Sequence, residues 1–288
     1  MAKSARRPRS SAATRAAEAT SSVFGDAALS FGTESTYSDP AGYDRTYRRR
    51  KDDVRFYVSL AGEHGGPVLE LGAGSGRVTL ALARAGHEVV ALERYAPMRA
   101  QLAARLEKEP AAVRGRVSIV AGDLKTTKLG RRFALVIAPF NVLSHLYGRK
   151  DWEAALAVVR ASLAPEGRFA LDVPNPDIGS FLRNPLTTYR CRPLVDVESG
   201  EVLETHESFA YDAASQIQMV TSLFGVVGRP EKSFTRALAH RHVFPRELEA
   251  LLFYNGLEVL RHEGDFQGGP LTLSSESQVV VARRARRR

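Results

Sequence analysis

The sequence predicts an α/β protein: a mainly parallel sheet with helices on both faces, interrupted by an antiparallel β insertion. Three observations carry this prediction. An apolar run, a glycine turn and an amphipathic helix pattern follow one another in Val68-Leu-Glu-Leu-Gly-Ala-Gly-Ser-Gly-Arg-Val-Thr-Leu-Ala-Leu-Ala-Arg84. Short apolar runs then alternate with helical patterns as far as residue 173, the rhythm of βαβ units, whose strands are parallel. After Pro174 the rhythm changes. Pro174, Pro176, Pro185 and Pro193 break the chain, and the stretches beyond are rich in β-branched and aromatic residues with turn residues between them.

Each element has a local reason. Residues 1–36 lack periodicity, are rich in Ser, Ala and Thr, and read as an unstructured basic tail. From Tyr37 to Ala61 the second half reads as helix, with Tyr43, Tyr47, Val54, Tyr57, Val58 and Leu60 as inward positions. Residues 67–71 form the first strand, and residues 76–85 a helix stopped by Gly86. Residues 88–93 are the second strand, and residues 97–108 a helix with Pro97 suited to its first turn. Residues 117–121 and 133–138 are strands three and four. Residues 151–163 are a helix with Asp151 at its N-cap, and residues 168–173 are strand five. Residues 202–211, 216–227 and 233–243 are predicted strands of an insertion spanning residues 186–243, with Asp212-Ala-Ala-Ser215 as a turn. Residues 245–255 are a helix closed by Gly256. Residues 257–262 and 278–283 complete the sheet as an antiparallel hairpin.

The glycine turn carries chemistry. Glycine admits left-handed backbone and close approach of a ligand to the main chain, and the helix that follows presents free N–H groups to that ligand. The pattern Gly72-x-Gly74-x-Gly76 departs from the G-x-G-x-x-G dinucleotide fingerprint. Glu93 ends the second strand 21 residues after Gly72, a position suited to accepting hydrogen bonds from ribose hydroxyls. Strand four ends in Ala138-Pro-Phe-Asn141, and ligands of open α/β sheets sit at the carboxyl ends of the strands, so Phe140 and Asn141 are close to the reacting group. His145 lies four residues beyond Asn141; it suits a general base or a neutral wall over the ligand, and the sequence leaves both open.

These motifs, together with Ala121-Gly-Asp-Leu124 and Leu163-Ala-Pro-Glu-Gly-Arg-Phe-Ala-Leu-Asp172, resemble the class I S-adenosylmethionine-dependent methyltransferases of small-molecule type over residues 37–174 and more loosely to Arg284. The resemblance implies a Rossmann-like seven-stranded sheet with a reversed last strand, and S-adenosyl-L-methionine as cofactor. It implies that the segment from Glu70 to Gly76, with Gly72, Ala73 and Gly74, holds the cofactor's amino acid portion, Glu70 contacting its ammonium. Glu93, beside Arg94, would hold the ribose, and Tyr95 and Met98 would flank the adenine. Asp123 would accept from the exocyclic amine and Leu124 would donate its N–H. Pro139 and Phe140 would lie near the methyl, His145 and Asn141 would be the catalytic candidates, and Tyr43, Tyr47 and Arg48 would belong to a lid. The implied domain plan is a lid helix and cofactor core over residues 37–185, the insertion over 186–243, completion of the core over 244–284, and a basic tail at 285–288.

Composition excludes other classes. The net charge is +9, but residues 1–20 contribute +4 and the five arginines of residues 283–288 contribute +5. The neutral body argues against nucleic acid as partner and against an RNA methyltransferase. No apolar run approaches the length of a membrane span. The single cysteine, Cys191, precludes an internal disulfide, reads as a passive strand residue, and suits a cytoplasmic setting. His206, His240 and His242 lack a convincing metal-ligand spacing, so no metal is expected. A nicotinamide-dependent oxidoreductase and a non-catalytic methyltransferase-like protein are the alternatives to a small-molecule methyltransferase. The insertion, with Phe209, Tyr211, Met219, Leu223 and Phe224 on its exposed faces, is expected to cover the substrate or form a homodimer.

Overall fold

The computed structural model describes residues 24–47, 49–195 and 200–285. Three helices precede the sheet: α1 (Asp26–Glu34), α2 (Pro40–Tyr47) and α3 (Asp52–His64). The core then runs β1 (Val68–Leu71), α4 (Arg77–Arg84), β2 (Val89–Glu93), α5 (Ala96–Glu107), α6 (Ala111–Arg114), β3 (Val117–Ala121) and β4 (Phe133–Ala138). A 3₁₀ turn (Val142–His145), α7 (Arg149–Ser162), β5 (Leu163–Pro174) and α8 (Ile178–Phe181) follow. The insertion comprises β6 (Tyr189–Arg190), β7 (Leu194–Val195), β8 (Val202–Asp212), β9 (Ile217–Val226) and β10 (Arg229–Arg241), and α9 (Pro245–Tyr254), β11 (Leu257–Glu263) and β12 (Ser277–Arg284) close the chain.

The main sheet has the order β11-β12-β5-β4-β1-β2-β3. Its strands β3, β2, β1, β4 and β5 pair in parallel, whereas β12 runs antiparallel to both β5 and β11. This is the seven-stranded sheet with a reversed last strand. The strand period of two builds a core on each face. In β12, Val280 and Ala282 pack with Trp152, Leu156 and Val159 of α7 and with Leu248 and Leu252 of α9. Val279 and Val281 of the same strand pack on the other face, with Tyr57 and Leu60 of α3 and Val78 and Leu82 of α4. The helical spacing of Trp152, Leu156 and Val159 follows the i, i+4, i+7 stripe that faces a core.

The second sheet has the order β10-β9-β8-β6, with β7 on β8. Its turn is fixed by Asp212, whose Oδ2 accepts from the Ser215 N–H at 3.0 Å, and Gln216 follows at a φ of 59°. Cys191 lies immediately after β6, not within a strand, and its N–H donates to the Thr205 carbonyl at 2.8 Å.

Several expectations are corrected. Residues 24–36 are not an unstructured tail. Phe24, and Ala28 and Leu29 of helix α1, lie over Ile217, Met219, Ala237 and Ala239 of the second sheet. Met219, expected on an exposed face, is therefore buried. Strand β10 is an edge, and its Ala237 is capped by the lid segment: the N–H donates to Ser35 Oγ at 2.9 Å, and the carbonyl accepts from Thr36 Oγ1 at 3.0 Å. Such capping removes the exposed pairing groups that make edges a liability. Asp151 is not an N-cap; α7 starts two residues earlier, after Gly148, whose N–H reaches Asp151 Oδ2 at 3.4 Å. Residues 1–23, Arg48 and residues 286–288 lie outside the described residues. Among the described residues, no helix is long and apolar enough to cross a membrane.

One buried ion pair ties α3 to the helix after the glycine turn. Asp53 is inaccessible to solvent and accepts from Arg77 Nη1 at 2.8 Å and Nη2 at 2.5 Å. Removing one partner of a buried pair strands the other charge, at a cost of about 3–5 kcal/mol. Asp53→Ala is expected to lower the unfolding free energy by that amount in urea titration. A loss under about 1 kcal/mol, the range of exposed pairs, would show the pair to be solvated.

Candidate active site

The glycine turn shows why each glycine is there. Gly72, Gly74 and Gly76 have φ values of 66°, 56° and 87°. A Cβ on Gly72 would lie 2.2 Å from Val142 Cγ2, and one on Gly76 2.2 Å from Leu102 Cδ1, so the protein's own packing excludes side chains there. A Cβ on Gly74 would meet nothing within 4 Å. It would enter the open space that Gly74 lines.

That space is a cavity of about 990 Å³, counting its open mouth, at the carboxyl ends of β1, β2, β3 and β4. The structure brings Tyr43, Glu70, Gly72, Ala73, Gly74, Glu93, Arg94, Met98, Asp123, Leu124, Pro139, Phe140 and His145 around it. Of the predicted site residues, Gly76 and Asn141 do not line it. Gly76 is one turn deeper, its N–H donating to the Ala73 carbonyl at 3.0 Å. Asn141 lies just beyond Phe140. Tyr37, Arg77 and Tyr95 also line the cavity.

The acids at the strand ends have distinct environments. Glu70 is buried, accepts from Thr79 Oγ1 at 2.5 Å, and is pushed up to about 8 by burial, partly offset by the Thr79 hydroxyl and the Arg77 charge. Glu93 spans the turn: Oε2 accepts from the Gly74 N–H at 2.8 Å and Oε1 from the Tyr95 N–H at 2.7 Å. Asp123 Oδ1 accepts from the Lys125 N–H at 2.8 Å, and Oδ2 lies 3.6 Å from Arg94 Nη1.

The lid closes over this floor. Asp44 of α2 accepts from Ser75 in the glycine turn and from Gln101 Nε2 at 3.2 Å, and pairs with Arg105 Nη1 at 3.3 Å. Asp39 pairs with Arg236 of the insertion. The Tyr37 ring stacks on Tyr95 at 5.5 Å, and its hydroxyl bonds His145 Nε2 at 2.7 Å. Burial, then the Arg94 charge, pushes His145 down to about 4. Burial pushes the Tyr37 phenol up. At neutral pH the couple is therefore a neutral phenol hydrogen-bonded to a neutral imidazole. The ring of His240 from β10 meets His145 edge-on at 4.9 Å.

Phe140 and Asn141 are consecutive non-glycine residues in left-handed backbone, at φ 57° and 62°. Such conformations cost on the order of 1–3 kcal/mol each and persist where the surroundings impose them. The Phe140 N–H donates to Asp172 Oδ1 at 2.7 Å, and the ring is held between the guanidinium groups of Arg50 at 4.9 Å and Arg77 at 5.0 Å and the rings of Tyr43 and Tyr47. Asp172 also accepts from the Tyr57 hydroxyl at 2.7 Å; burial, offset by these two donors, pushes it up to about 6. Asn141 Oδ1 and Asp172 Oδ2 are buried without a hydrogen-bond partner. Among the described residues, no cluster of His, Cys, Asp and Glu could hold a metal ion.

Sequence reasoning missed Tyr37, Asp44, Arg77 and Asp172. Asp172 carried a signal: like Glu70 and Glu93, it is an acid near the carboxyl end of an otherwise apolar strand. Tyr37 and Asp44 carried none, because their hydrogen-bond partners are more than thirty residues away.

Comparison with known proteins decides the chemistry. A family model described as "Methyltransferase domain" matches residues 68–167. A dTDP-3-amino-3,6-dideoxy-alpha-D-glucopyranose N,N-dimethyltransferase of Streptomyces fradiae is 30% identical over 126 residues, 44% of this chain and 46% of that protein. The cypemycin N-terminal methyltransferase of Streptomyces sp is 27% identical over 86% of this chain and 99% of its own length. Among solved structures, the CcbJ methyltransferase from Streptomyces caelestis superposes with a TM-score of 0.70 at 27% identity, covering 82% of this chain and 90% of that one. The glycopeptide N-methyltransferase MtfA, complexed with S-adenosyl-L-methionine, gives 0.54 at 26% identity, covering 81% and 92%. With a methyltransferase domain over residues 68–167 and these relatives, the chain is an S-adenosylmethionine-dependent methyltransferase similar to the class I family. Its cofactor is S-adenosylmethionine, and the nicotinamide alternative is set aside.

Two substitutions in this methyltransferase probe the floor of the cavity. Gly74→Val, which places a branched side chain in the open space at a left-handed position, is expected to abolish S-adenosylhomocysteine binding in calorimetry while the fold survives. Glu93→Ala is expected to weaken it by about 1–3 kcal/mol, the cost of a lost charged acceptor. Wild-type affinity in both would move the cofactor elsewhere.

Proposed function

We propose that this methyltransferase N-methylates an amine on a small-molecule acceptor. The observation that carries the reading is the pair of buried, unpartnered acceptor oxygens, Asn141 Oδ1 and Asp172 Oδ2, at the strained turn after β4. Buried acceptors are costly to leave unmet. An amine carries the N–H donors they lack, and a neutral amine attacks through its lone pair without prior loss of a proton. The named relatives act on an amino sugar and a peptide N-terminus, which supports the same acceptor atom.

The residues fit the cofactor. The open space at Gly74 leaves room for its backbone approach, Glu70 is placed for the ammonium, and Glu93 for the ribose hydroxyls. Asp123 and Leu124 suit the adenine edge, and Met98 its face. When bound, S-adenosylmethionine supplies a methyl on a sulfonium, an activated donor that needs no acid. What remains for the chain is alignment and dryness. Asn141 Oδ1 accepts an N–H of the acceptor and so directs the nitrogen lone pair. Asp172 holds the turn through the Phe140 N–H and faces the amine's charge with its second oxygen. Tyr37, Tyr43 and Tyr47 exclude water from above. His145, neutral and bonded to Tyr37, serves as wall rather than base. His240 of the insertion meets His145, Arg236 pairs with Asp39, and α1 covers the Met219 face, which supports assigning the insertion to substrate cover rather than to a homodimer. A cytoplasmic setting suits a chain with one unpaired cysteine.

Two measurements check this reading. Asn141→Ala is expected to lower kcat on an amine acceptor about 10–100-fold, the scale of a misdirected nucleophile, with cofactor affinity unchanged; an equal loss of cofactor binding would assign Asn141 to the cofactor. The second concerns Glu70, which titrates near 8 in the free protein. A bound ammonium favours its ionised form and lowers that value. Below pH 8 binding then releases a proton, and affinity rises with pH between 6 and 8, by at most about tenfold per unit. Calorimetry in buffers of different ionisation enthalpy detects the proton, and Glu70→Gln is expected to flatten the profile. Proton uptake on binding would overturn the contact.

A further inference from the structure

The two faces of the insertion sheet have different surroundings. One packs under α1. The strand pairing puts Tyr211 and His240 on the other face, in one cross-strand row with Gln218. This row abuts the cofactor cavity: His240 meets the ring of His145, which lines it, and Tyr211 stacks on Phe181 at 4.0 Å. Two residues further along each strand, Phe209, Val220 and Leu238 form an apolar row on the same face. All three are only half-buried, so this row keeps open surface beside the cavity. Another two residues on, Glu207 and Arg236 flank Ser222, about 14 Å from the first row.

That outer row also reaches the cavity wall. The Tyr47 ring packs at 4.8 Å on Phe140, a cavity residue, and its phenol is pushed up by burial and next by the Glu207 charge. The two charges of the row are met unequally. Arg236 is paired with Asp39 of the lid segment. Glu207 is half-buried, and its partners among the described residues are neutral donors: the Ser222 hydroxyl at 3.0 Å and the Cys191 thiol. Arg183 sits at the exposed rim of this face, its guanidinium over the rings of Phe209 at 4.2 Å and Tyr189 at 5.1 Å, and forms no ion pair with Glu207. Neutral donors leave the Glu207 charge uncompensated in a partly desolvated place, which favours a cationic ligand group there. Between that charge and the cavity the face offers hydrocarbon.

We infer that Glu207 holds a second cationic group of the acceptor, an aliphatic diamine or an amine of the same charge pattern, whose hydrocarbon lies along Phe209, Val220 and Leu238. The inference rests on the amine reading above, and its test is read without methyl transfer, by calorimetry on the full chain saturated with S-adenosylhomocysteine. The probes 1,8-diaminooctane, 1-aminooctane and 8-aminooctanoate share one amine and a hydrocarbon chain and differ at the far end. The diamine is expected to bind at least about tenfold more tightly than the monoamine, the scale of a hydrogen bond to a charged group, and the aminocarboxylate more weakly than either. Glu207→Gln, which keeps the shape of the side chain, is expected to erase the preference for the diamine. Glu207→Lys is expected to transfer it to the aminocarboxylate. Unchanged S-adenosylhomocysteine affinity shows that both variants fold. No binding of the diamine, a diamine no tighter than the monoamine, or a preference that survives Glu207→Gln would overturn the site. Tightest binding of the aminocarboxylate to the unaltered protein would also overturn it and move the anchor to Arg183. A protein that binds the diamine through Glu207 yet methylates no amine would lose the N-methylation reading and keep the site; one that methylates monoamines with no preference for a second cation would do the reverse.

Discussion

The buried carboxylate of Asp53 is the constraint on which the site depends. It joins two stretches of chain: helix α3 with Arg50 just before it, and Arg77 at the first turn of α4, 24 residues beyond Asp53. Arg77 and Arg50 in turn flank the Phe140 ring. Without the carboxylate, two cations would face one aromatic ring, and Arg77, the more buried of them, would carry the desolvation penalty of an unpaired charge. With it, the helix before the sheet, the glycine turn and the turn after β4 hold one geometry. The ion pair thus sets position more than it adds stability, since a well-packed apolar substitute can equal a buried pair in energy.

Strain and orphaned polar atoms collect at one place for a related reason. Phe140 and Asn141 hold left-handed backbone that neither residue prefers. The Asp172 carboxylate takes the Phe140 N–H, the two guanidinium groups clamp the ring, and the backbone has no way to relax. Beside this turn the Asn141 amide oxygen and one oxygen of Asp172 are buried without a hydrogen-bond partner. A folded protein tolerates such unmet acceptors where a ligand or an ordered water completes them.

The lid and the insertion close the site through charge and edge pairing rather than through a large apolar contact. Asp44 holds α2 to the glycine turn and Asp39 holds the lid segment to Arg236, while Ser35 and Thr36 cap the edge of β10. Links of this kind release at low energetic cost when solvent replaces them. They suit an element that must admit cofactor and acceptor and then exclude water.

The sequence by itself determined the sheet and the floor of the cavity. Strand and helix periods, the glycine turn, and Glu70, Glu93 and Asp123 at strand ends are local signals, and β3 and β4 fall on the predicted residues. Tertiary structure decided what depends on partners far along the chain. Helix α1 has too few apolar residues to declare itself; it packs on a surface that includes Ala239 and Met219, the latter placed on an exposed face by the sequence reading. Tyr37, Asp44 and Asp172 acquire roles only from the groups they meet. The neutrality of His145 follows from burial, which no spacing encodes. Local propensity writes the elements, and the desolvation of polar groups, which exists only in the folded chain, decides what each of them can do.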